Sequence, residues 1–264
     1  MVPKENHHLL GNRRAGHQRL PNPNTETSMK IEIWSDVICP FCGIGQHRLD
    51  TALADFAHRD DVEVVHRSFQ LDPSFPVGST VSVRDMLRKK YGMTDAQLRG
   101  QTERIEAMAA ADGLTPYKVG ENHAGNTRLA HELLAFAAER GLEDAAWKRL
   151  YKAYFGETRS IFDLDALVAL GVDIGLDAGE IREALTSGRY TAKVEADGRE
   201  ARELGATGVP FVVIDRRIGI AGAQPLEAFR SALDKAWREN PTPLVMVGSG
   251  EECGPEGCEV PAKG

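Results

Sequence analysis

The fold of this chain is decided by the stretch IEIWSDVICPFC, residues 31–42. Its first part, Ile31 to Trp34, alternates apolar and polar side chains and predicts a strand. The pair Cys39 and Cys42 follows at the start of a predicted helix that has one apolar face. Val62 to Phe69 then predicts a second strand. A helix that crosses over between two neighbouring strands leaves them parallel, so this part of the chain is predicted to be a βαβ unit.

The rest of the chain changes from a helical pattern back to a β pattern. Residues 80–205 predict a run of helices with glycines at several of their ends. Ser82–Asp85 resembles an acidic variant of a capping box and Thr94–Gln97 fits the capping box itself, so helices are predicted to start there. Two strands follow over Gly208–Ile214 and Ile218–Ile220, and a last helix spans Pro225–Trp237. The order βαβ, helical block, ββα predicts an α/β fold with a large all-helical insertion between its two halves.

These changes of pattern divide the chain into a disordered N-terminal extension, an α/β domain in two pieces, a helical insertion domain and a flexible tail. The predicted bounds are 1–28 for the extension, 29–79 and 206–239 for the α/β domain, 80–205 for the insertion and 240–264 for the tail. The extension has no apolar segment of the kind that directs secretion, so we expect a cytoplasmic protein.

Composition excludes several classes of protein. Of the 264 residues, 42% are hydrophobic and 27% charged, which allows a sizeable core and excludes simple disorder. A net charge of −7 leaves no basic surplus to bind nucleic acid or an anionic membrane. No apolar run approaches the roughly 20 residues that span a bilayer. We therefore expect a soluble protein whose partners are neither nucleic acid nor membrane.

The first cysteine pair has the spacing of a redox site. A helix N-terminus stabilises a thiolate, so Cys39 is the expected nucleophile. Pro40 is expected at the first helical position, where its missing N–H costs little. Cys42 lies one turn further on and is placed to displace a mixed disulfide as the resolving thiol. Two other interpretations of the motif stay open, a zinc half-site and a pair of inert thiols.

A proline just before the third predicted strand is the second candidate element of this site. In thioredoxin-type folds, which have the order of elements predicted above, a cis proline at this place faces the active-site disulfide. Pro210 sits there, and a cis bond would leave the backbone of Val209 free to pair with an extended substrate segment. The alternative is a trans proline that opens an edge strand.

Four segments together resemble a known family: residues 31–45, Phe69–Pro73, Asn126–His131 and Thr207–Pro210. They are similar to the DsbA-like thioredoxin superfamily, specifically its FrnE type, over residues 29–239. The resemblance implies a thioredoxin fold interrupted by the helical insertion. It also implies thiol-disulfide oxidoreductase activity carried by Cys39 and Cys42, with Pro210 opposite them.

The chain departs from the common family pattern in two places. Phe41 stands where tryptophan is frequent, and Gly43 where an aromatic residue is frequent, which affects the expected substrate surface and potential. No histidine lies between the cysteines, so we expect a couple less oxidising than DsbA that reduces or isomerises disulfides in protein substrates. No cofactor or metal is expected, although glutathione could be the reductant or co-substrate and contact Val209 and the helix near Asn126.

A second pair, Cys253 and Cys258, lies in the tail among glutamates that disfavour its thiolates. Some FrnE-type proteins carry such a C-terminal pair, and the resemblance implies an auxiliary couple that exchanges electrons with Cys39 and Cys42. A structural loop disulfide and two idle thiols are the alternatives. All four cysteines could instead form a zinc site.

A different enzyme class on the same fold is a further alternative. Glutathione-dependent isomerases and kappa-class transferases look similar through the helical block but typically have serine at the place of Cys39. Among other polar residues, Asp36 is placed either to assist proton transfer to a departing thiol or to cap a loop. The histidines, among them His66 and His131, are expected to be surface or packed residues.

Overall fold

The computed structural model describes residues 28–239, which form six strands and nine α-helices. The strands are β1 (Met29–Ser35), β2 (Val62–Ser68), β3 (Thr80–Ser82), β4 (His123–Gly125), β5 (Phe211–Ile214) and β6 (Ile218–Ala221). The helices are α1 (Pro40–Ala54), α2 (Val83–Tyr91), α3 (Asp95–Ala111), α4 (Arg128–Ala138), α5 (Glu143–Tyr151), α6 (Leu164–Asp173), α7 (Ala178–Ser187), α8 (Thr191–Glu203) and α9 (Leu226–Glu239).

The central sheet has the order β2-β1-β5-β6. Strand β1 is parallel to β2 and antiparallel to β5, and β5 is antiparallel to β6. The predicted thioredoxin fold, with a parallel βαβ half and a returning ββα half, is therefore confirmed. Strand β5 begins three residues later than the sequence predicts, because Pro210 has no N–H to donate to the sheet.

Both faces of the two central strands are covered, and β1 and β5 each contribute side chains to two apolar clusters, one on each face. Ile31 and Ile33 pack with α1 and α9, which lie on one face. Trp34, on the same strand, packs on the other face with Ala201 of α8 and with Phe211. This alternation explains why a period of two in β1 identified the strand correctly.

Helices α2 to α8 lie in the insertion, and the predicted starts of α2 and α3 agree with the structure. The Ser82 hydroxyl accepts a hydrogen bond from the backbone N–H of Asp85, and Thr94 and Gln97 make both bonds of a capping box. The large apolar side chains of the insertion, such as Phe136, Trp147 and Phe155, form one cluster that also contains Val37 and Ile44 from the segment of the cysteine pair.

The expectation of an all-helical insertion is corrected in one respect. Strands β3 and β4 pair as a small antiparallel sheet within it. Each has three residues, which is too short to display a two-residue period.

Two helical features also differ from the prediction. The sequence interpretation named no helix over α6, which is apolar on most sides. The helix that begins with α5 widens into a π turn over Lys152–Gly156.

In the part of the chain that the structure describes, no helix combines the length and the apolar character needed to cross a bilayer.

Strand β1 carries a buried carboxylate whose ion pairs make stability depend on pH. Glu32 is 1% exposed and bonds Arg67 at 2.6 Å and Arg216 at 2.7 Å. Burial raises the pKa of Glu32, but the two arginines together lower it below its usual value. A lowered folded-state pKa stabilises the fold above the unfolded pKa of about 4.3, and this contribution is lost as the pH falls through and below that value.

We therefore expect Glu32→Gln to lower the free energy of unfolding by about 1 kcal/mol at neutral pH, because both arginines are partly exposed and can turn to water. Denaturant titrations from neutral pH to about pH 3 should show a smaller loss of stability in this variant than in the wild type. Glu63→Gln, on an exposed position of β2, is the matched control and should lose stability with pH as the wild type does. Identical pH profiles for both variants would contradict the assignment.

Candidate active site

Helix α1 places the first cysteine pair at its N-terminus. Cys39 is the N-cap and Pro40 the first helical residue, as predicted. The Cys39 N–H donates to the Asp36 carbonyl at 3.1 Å, and the Cys42 N–H donates to the Cys39 carbonyl at 3.0 Å. Both cysteines are free thiols. Both cysteines are buried, Cys39 with 4% of its surface exposed and Cys42 with none, so Cys39 is the more accessible of the two.

The loop before β5 lies directly against this helix. The Val209–Pro210 peptide bond is cis, and the Cys39 thiol donates to the Val209 carbonyl at 3.5 Å. A Cβ atom built on Gly45 would lie 2.9 Å from Cγ of Pro210, so only glycine allows this approach. The structure thus brings the two cysteines, Val209 and Pro210 together although about 170 residues separate them in sequence.

The two thiols differ in their electrostatic surroundings. Burial raises the pKa of the Cys42 thiol well above its usual range, and the adjacent Cys39 raises it further. Cys42 therefore stays protonated near neutral pH until another group takes its proton. A sulfur at the helix N-terminus beside a fully buried, protonated one is the asymmetry that a nucleophile and a resolving thiol require.

Tyr117, from the loop after α3, is a site residue that the sequence interpretation missed. Its hydroxyl donates to the Pro40 carbonyl at 2.6 Å, and its ring stacks on Phe155 at 4.5 Å. A Cβ atom on Gly43 would lie 2.5 Å from the Tyr117 hydroxyl. The small residue at Gly43 was the available signal, because an aromatic ring from the insertion occupies the space that a side chain at position 43 would need.

Tyr117→Phe should lower the free energy of unfolding by about 1 kcal/mol, the usual contribution of one hydrogen bond. It should also change the rate at which Cys39 reacts with a thiol reagent, because the Pro40 carbonyl loses its partner. Tyr154→Phe is the matched control, since that buried hydroxyl donates to the His123 carbonyl, also at 2.6 Å. Thermal unfolding and alkylation rates measure both effects, and an equal alkylation rate in the two variants would contradict the expectation.

Asp36 and His131 form a pair beneath the cysteines. The Asp36 carboxylate contacts His131 Nε2 at 3.1 Å and accepts the Leu71 N–H at 2.8 Å. Both side chains are fully buried. The sequence placed Asp36 near the reacting sulfurs, and it predicted His131 as a surface or packed residue without indicating that the two would meet.

An apolar groove of about 290 Å³ opens beside Pro40 and Phe41. Its walls come from α2, α3 and the loop after β2, and they include three exposed apolar side chains. Phe41 is 38% exposed, Leu71 47% and Tyr91 62%. Phe41 therefore lies on the surface next to Cys39, where an incoming polypeptide would meet it.

Three further predictions concern a glutathione contact, a metal site and the tail cysteines. The Asn126 side chain is a candidate glutathione contact. It donates to the Phe75 carbonyl at 2.7 Å and accepts the Arg128 N–H at 2.9 Å, so it joins the loop after β2 to the start of α4. Across residues 28–239, no group of three or more histidine, cysteine or acidic side chains is arranged to hold a metal ion. The auxiliary pair Cys253 and Cys258 lies outside the described residues.

Comparisons with known proteins agree with this geometry. A crystal structure described as a probable DsbA oxidoreductase, SCO1869 from Streptomyces coelicolor, is 47% identical; the match covers 89% of this chain and 100% of that one, with a TM-score of 0.78. A 2-hydroxychromene-2-carboxylate isomerase structure is 18% identical; the match covers 80% of this chain and 97% of that one, with a TM-score of 0.60. The cytosolic disulfide reductase DsbM from Pseudomonas aeruginosa, solved with GSH, is 22% identical; the match covers 79% of this chain and 99% of that one, with a TM-score of 0.52.

The last two likenesses concern the fold alone. The family model that matches is described as a DSBA-like thioredoxin domain, and it matches residues 30–234, which include the cysteine pair, the insertion and Pro210. The chain therefore belongs to the DSBA-like thioredoxin domain family.

Proposed function

We propose that this protein is a thiol-disulfide oxidoreductase that reduces or isomerises disulfides in protein substrates. The observation that carries the proposal is the Cys39 thiol, at the N-terminus of α1 and facing the Val209 carbonyl, with the buried Cys42 one turn behind it. A helix N-terminus favours a thiolate, which is the form of a cysteine that attacks a substrate disulfide.

The reaction proceeds in two exchanges. The Cys39 thiolate attacks a substrate disulfide, forms a mixed disulfide and releases one substrate thiolate. Cys42 gives up its proton and attacks the Cys39 sulfur, which releases the second substrate thiolate and leaves a Cys39–Cys42 disulfide. A dithiol or glutathione must then reduce that disulfide. If the second exchange is slow, the released thiolate can instead attack another disulfide of the same substrate. The thiolate freed there attacks the mixed disulfide and releases Cys39 as a thiolate, which completes an isomerisation.

The surface around Cys39 supports a polypeptide substrate. The groove beside Phe41 is wide enough for apolar side chains that flank a substrate cysteine, and contact with it adds apolar burial to the exchange. Next to it, the Val209 backbone stands where an extended segment could add as a strand. We assign Phe41, Pro40, Val209 and Pro210 to substrate positioning.

The protein is proposed to pass electrons to its substrates and to work in the cytoplasm. The dipeptide Pro40-Phe41 supplies no imidazolium to stabilise the thiolate, which supports a couple less oxidising than DsbA. In a reducing cytoplasm such a couple is held mostly as the dithiol. Cys253 and Cys258 are assigned as an auxiliary couple that exchanges with the active site.

A glutathione-dependent isomerase is the second candidate, supported by the fold it shares with the isomerase structure. The retained cysteine pair favours disulfide exchange, because an isomerase of that kind has no use for a resolving thiol. The two functions differ in a direct assay: a reductase reduces a protein disulfide and cycles between dithiol and disulfide, whereas an isomerase leaves Cys39 and Cys42 unchanged over a turnover.

A redox titration of the full chain tests the proposal. The protein is equilibrated in glutathione buffers of graded ratio, quenched with an alkylating reagent and weighed by mass spectrometry. We expect Cys39 and Cys42 to cycle together, at a potential more reducing than the roughly −120 mV of DsbA. Cys258→Ser should shift that potential if the tail is coupled. Thiols that alkylate only after a chelator is added would identify a zinc site and overturn the proposal.

A further inference from the structure

A cavity of about 500 Å³ lies between α1, α5 and the loop after α3, and it is distinct from the apolar groove described above. Neither Cys39 nor Cys42 lines it, so the two disulfide exchanges make no use of this space. On the side of the active site its wall is formed by Gly43, which follows Cys42 directly, and by Tyr117. The cavity is therefore a candidate for a binding site of its own.

Two helix faces leave this space between them. From Gly43 to Asp50, the residues of α1 at positions i, i+3, i+4 and i+7 line the cavity, and the same spacing from Lys148 to Phe155 forms a second wall. The face of α1 carries a glycine, an amide, an imidazole and a carboxylate, none of which is a large apolar group that would fill the gap. Protein interiors leave few voids larger than one water molecule, so a space of this size is a built feature rather than a packing defect.

The second wall includes the π turn that follows α5. The Glu157 N–H donates to the Lys152 carbonyl at 3.0 Å, five residues back, and Phe155 and Gly156 within this turn line the cavity. Single π turns inside helices are rare and frequently lie at functional sites. The position of the turn therefore favours a cavity that has a function.

A buried amide in the wall indicates one group of the ligand. Gln46 is 3% exposed, and within residues 28–239 neither its carboxamide oxygen nor its nitrogen has a hydrogen-bond partner. A buried amide without partners costs free energy, and its flexible side chain can turn toward a ligand that supplies them. Another amide offers both a donor and an acceptor. Beside Gln46, the stacked rings of Tyr117 and Phe155, 4.5 Å apart, give the cavity an apolar wall that suits an apolar side chain.

The charges at the mouth indicate a second group of the ligand. The Asp50 carboxylate lies 3.4 Å from Lys148 Nζ, and the Glu157 carboxylate lies 3.0 Å from the Arg149 guanidinium, so both acidic groups are already paired. Lys152 is exposed, and in the described part of the chain it has no ion-pair partner. A cation without a counter-charge at the mouth of an apolar cavity favours a ligand that carries a carboxylate.

We propose that this cavity binds a small N-acyl amino acid with an apolar side chain. The ligand amide bonds the Gln46 carboxamide, the side chain packs against Tyr117 and Phe155, and the carboxylate pairs with Lys152. Because Gln46 is buried and Lys152 exposed, the acyl end is enclosed and the carboxylate lies at the mouth. An enclosed acyl end leaves no exit for a preceding peptide chain, which distinguishes the free acid from the carboxyl end of a polypeptide. The site needs neither thiol, so the inference does not rest on the proposed function.

Three matched probes test the assigned groups one at a time. N-acetyl-L-phenylalanine carries all of them, N-acetyl-L-phenylalaninamide lacks the charge, and 3-phenylpropionate lacks the amide. Each is titrated into the reduced, nitrogen-15-labelled full chain and followed by proton–nitrogen NMR spectra. We expect the first probe to bind with a dissociation constant of about 1 mM or lower, the range for a ligand of this size. The backbone signals of Gly43, Gly113 and Gly156, which line the cavity, should move, and that of Gly141, which does not, should stay.

Two variants connect the probes to the residues. Lys152→Met should weaken binding of N-acetyl-L-phenylalanine about threefold, the usual contribution of an exposed ion pair, and leave that of the uncharged amide unchanged. Gln46→Leu should weaken binding of N-acetyl-L-phenylalanine about fivefold, through the loss of one hydrogen-bonded group, and leave that of 3-phenylpropionate unchanged. Both variants are expected to fold, because Lys152 is exposed and the Gln46 amide has no hydrogen bond to lose within residues 28–239. Lys235→Met, at an exposed position of α9 outside the cavity, is the control and should match the wild type.

Three results would overturn the inference. If none of the probes at about 10 mM, tenfold above the expected dissociation constant, moves the signals of the lining glycines, the cavity holds solvent only. Equal affinity of the three probes for the wild type and for both variants would mean that apolar contact alone holds them. A pentapeptide of four alanines and a terminal phenylalanine that binds as tightly as N-acetyl-L-phenylalanine would assign the cavity to polypeptide ends instead. None of these results bears on disulfide exchange, which the redox titration tests separately.

Discussion

Cys39→Ser is expected to abolish disulfide exchange completely, whereas Cys42→Ser is expected to stop the reaction at the mixed disulfide on Cys39. Cys39 is the thiol at the helix N-terminus and the more accessible of the two, so without it no substrate sulfur can be attacked. Without the buried Cys42, the mixed disulfide on Cys39 has no resolving partner and accumulates. Reduction of insulin with glutathione as reductant measures the first effect, and mass spectrometry of the protein after mixing with an oxidised peptide measures the second.

The two variants control one another, because each removes one sulfur and keeps the helix start intact. Cys39→Ser should form no adduct, and Cys42→Ser should carry one peptide on Cys39. The peptide found on Cys42 in the Cys39→Ser variant would reverse the roles assigned to the two cysteines. Wild-type activity in both variants would place the chemistry elsewhere.

Gly45→Ala should impair both stability and exchange. Alanine normally stabilises a helix relative to glycine by about 0.5–1 kcal/mol. At this position its Cβ would lie 2.9 Å from Pro210 Cγ and 3.6 Å from Cα of Ala223, inside van der Waals contact with a ring that cannot swing away. We expect a net loss of about 1–3 kcal/mol, the usual cost of overpacking. We also expect roughly tenfold slower exchange, because Val209 is pushed away from Cys39.

Gly100→Ala is the matched control, since Gly100 lies within α3 and a Cβ there would meet open space. That variant should unfold at a higher denaturant concentration than the wild type and exchange disulfides at the same rate. Denaturant titration and insulin reduction measure both variants. A Gly45→Ala protein that gains stability as Gly100→Ala does would show that the loop before β5 is not held against α1.

The parts of this fold that the sequence predicted are those whose cause is local. Strand β1 was identified because Ile31 and Ile33 face one apolar cluster and the charged Glu32 between them faces the other side of the sheet. The helix starts at Ser82 and Thr94 were identified because a capping side chain and its partner lie three residues apart. The three-residue strand β3 has no such local pattern, and it exists because β4 pairs with it.

The same distinction holds for the candidate site. By itself the sequence determined the cysteine pair, its place at the start of α1 and the proline before β5, since spacing and neighbours carry that information. Only the tertiary structure decided that Tyr117 bonds the carbonyl of a residue 77 positions earlier, and that His131 meets Asp36 across 95 positions. Such contacts depend on how the insertion packs onto the sheet domain. No periodicity, cap or spacing within either segment specifies that packing.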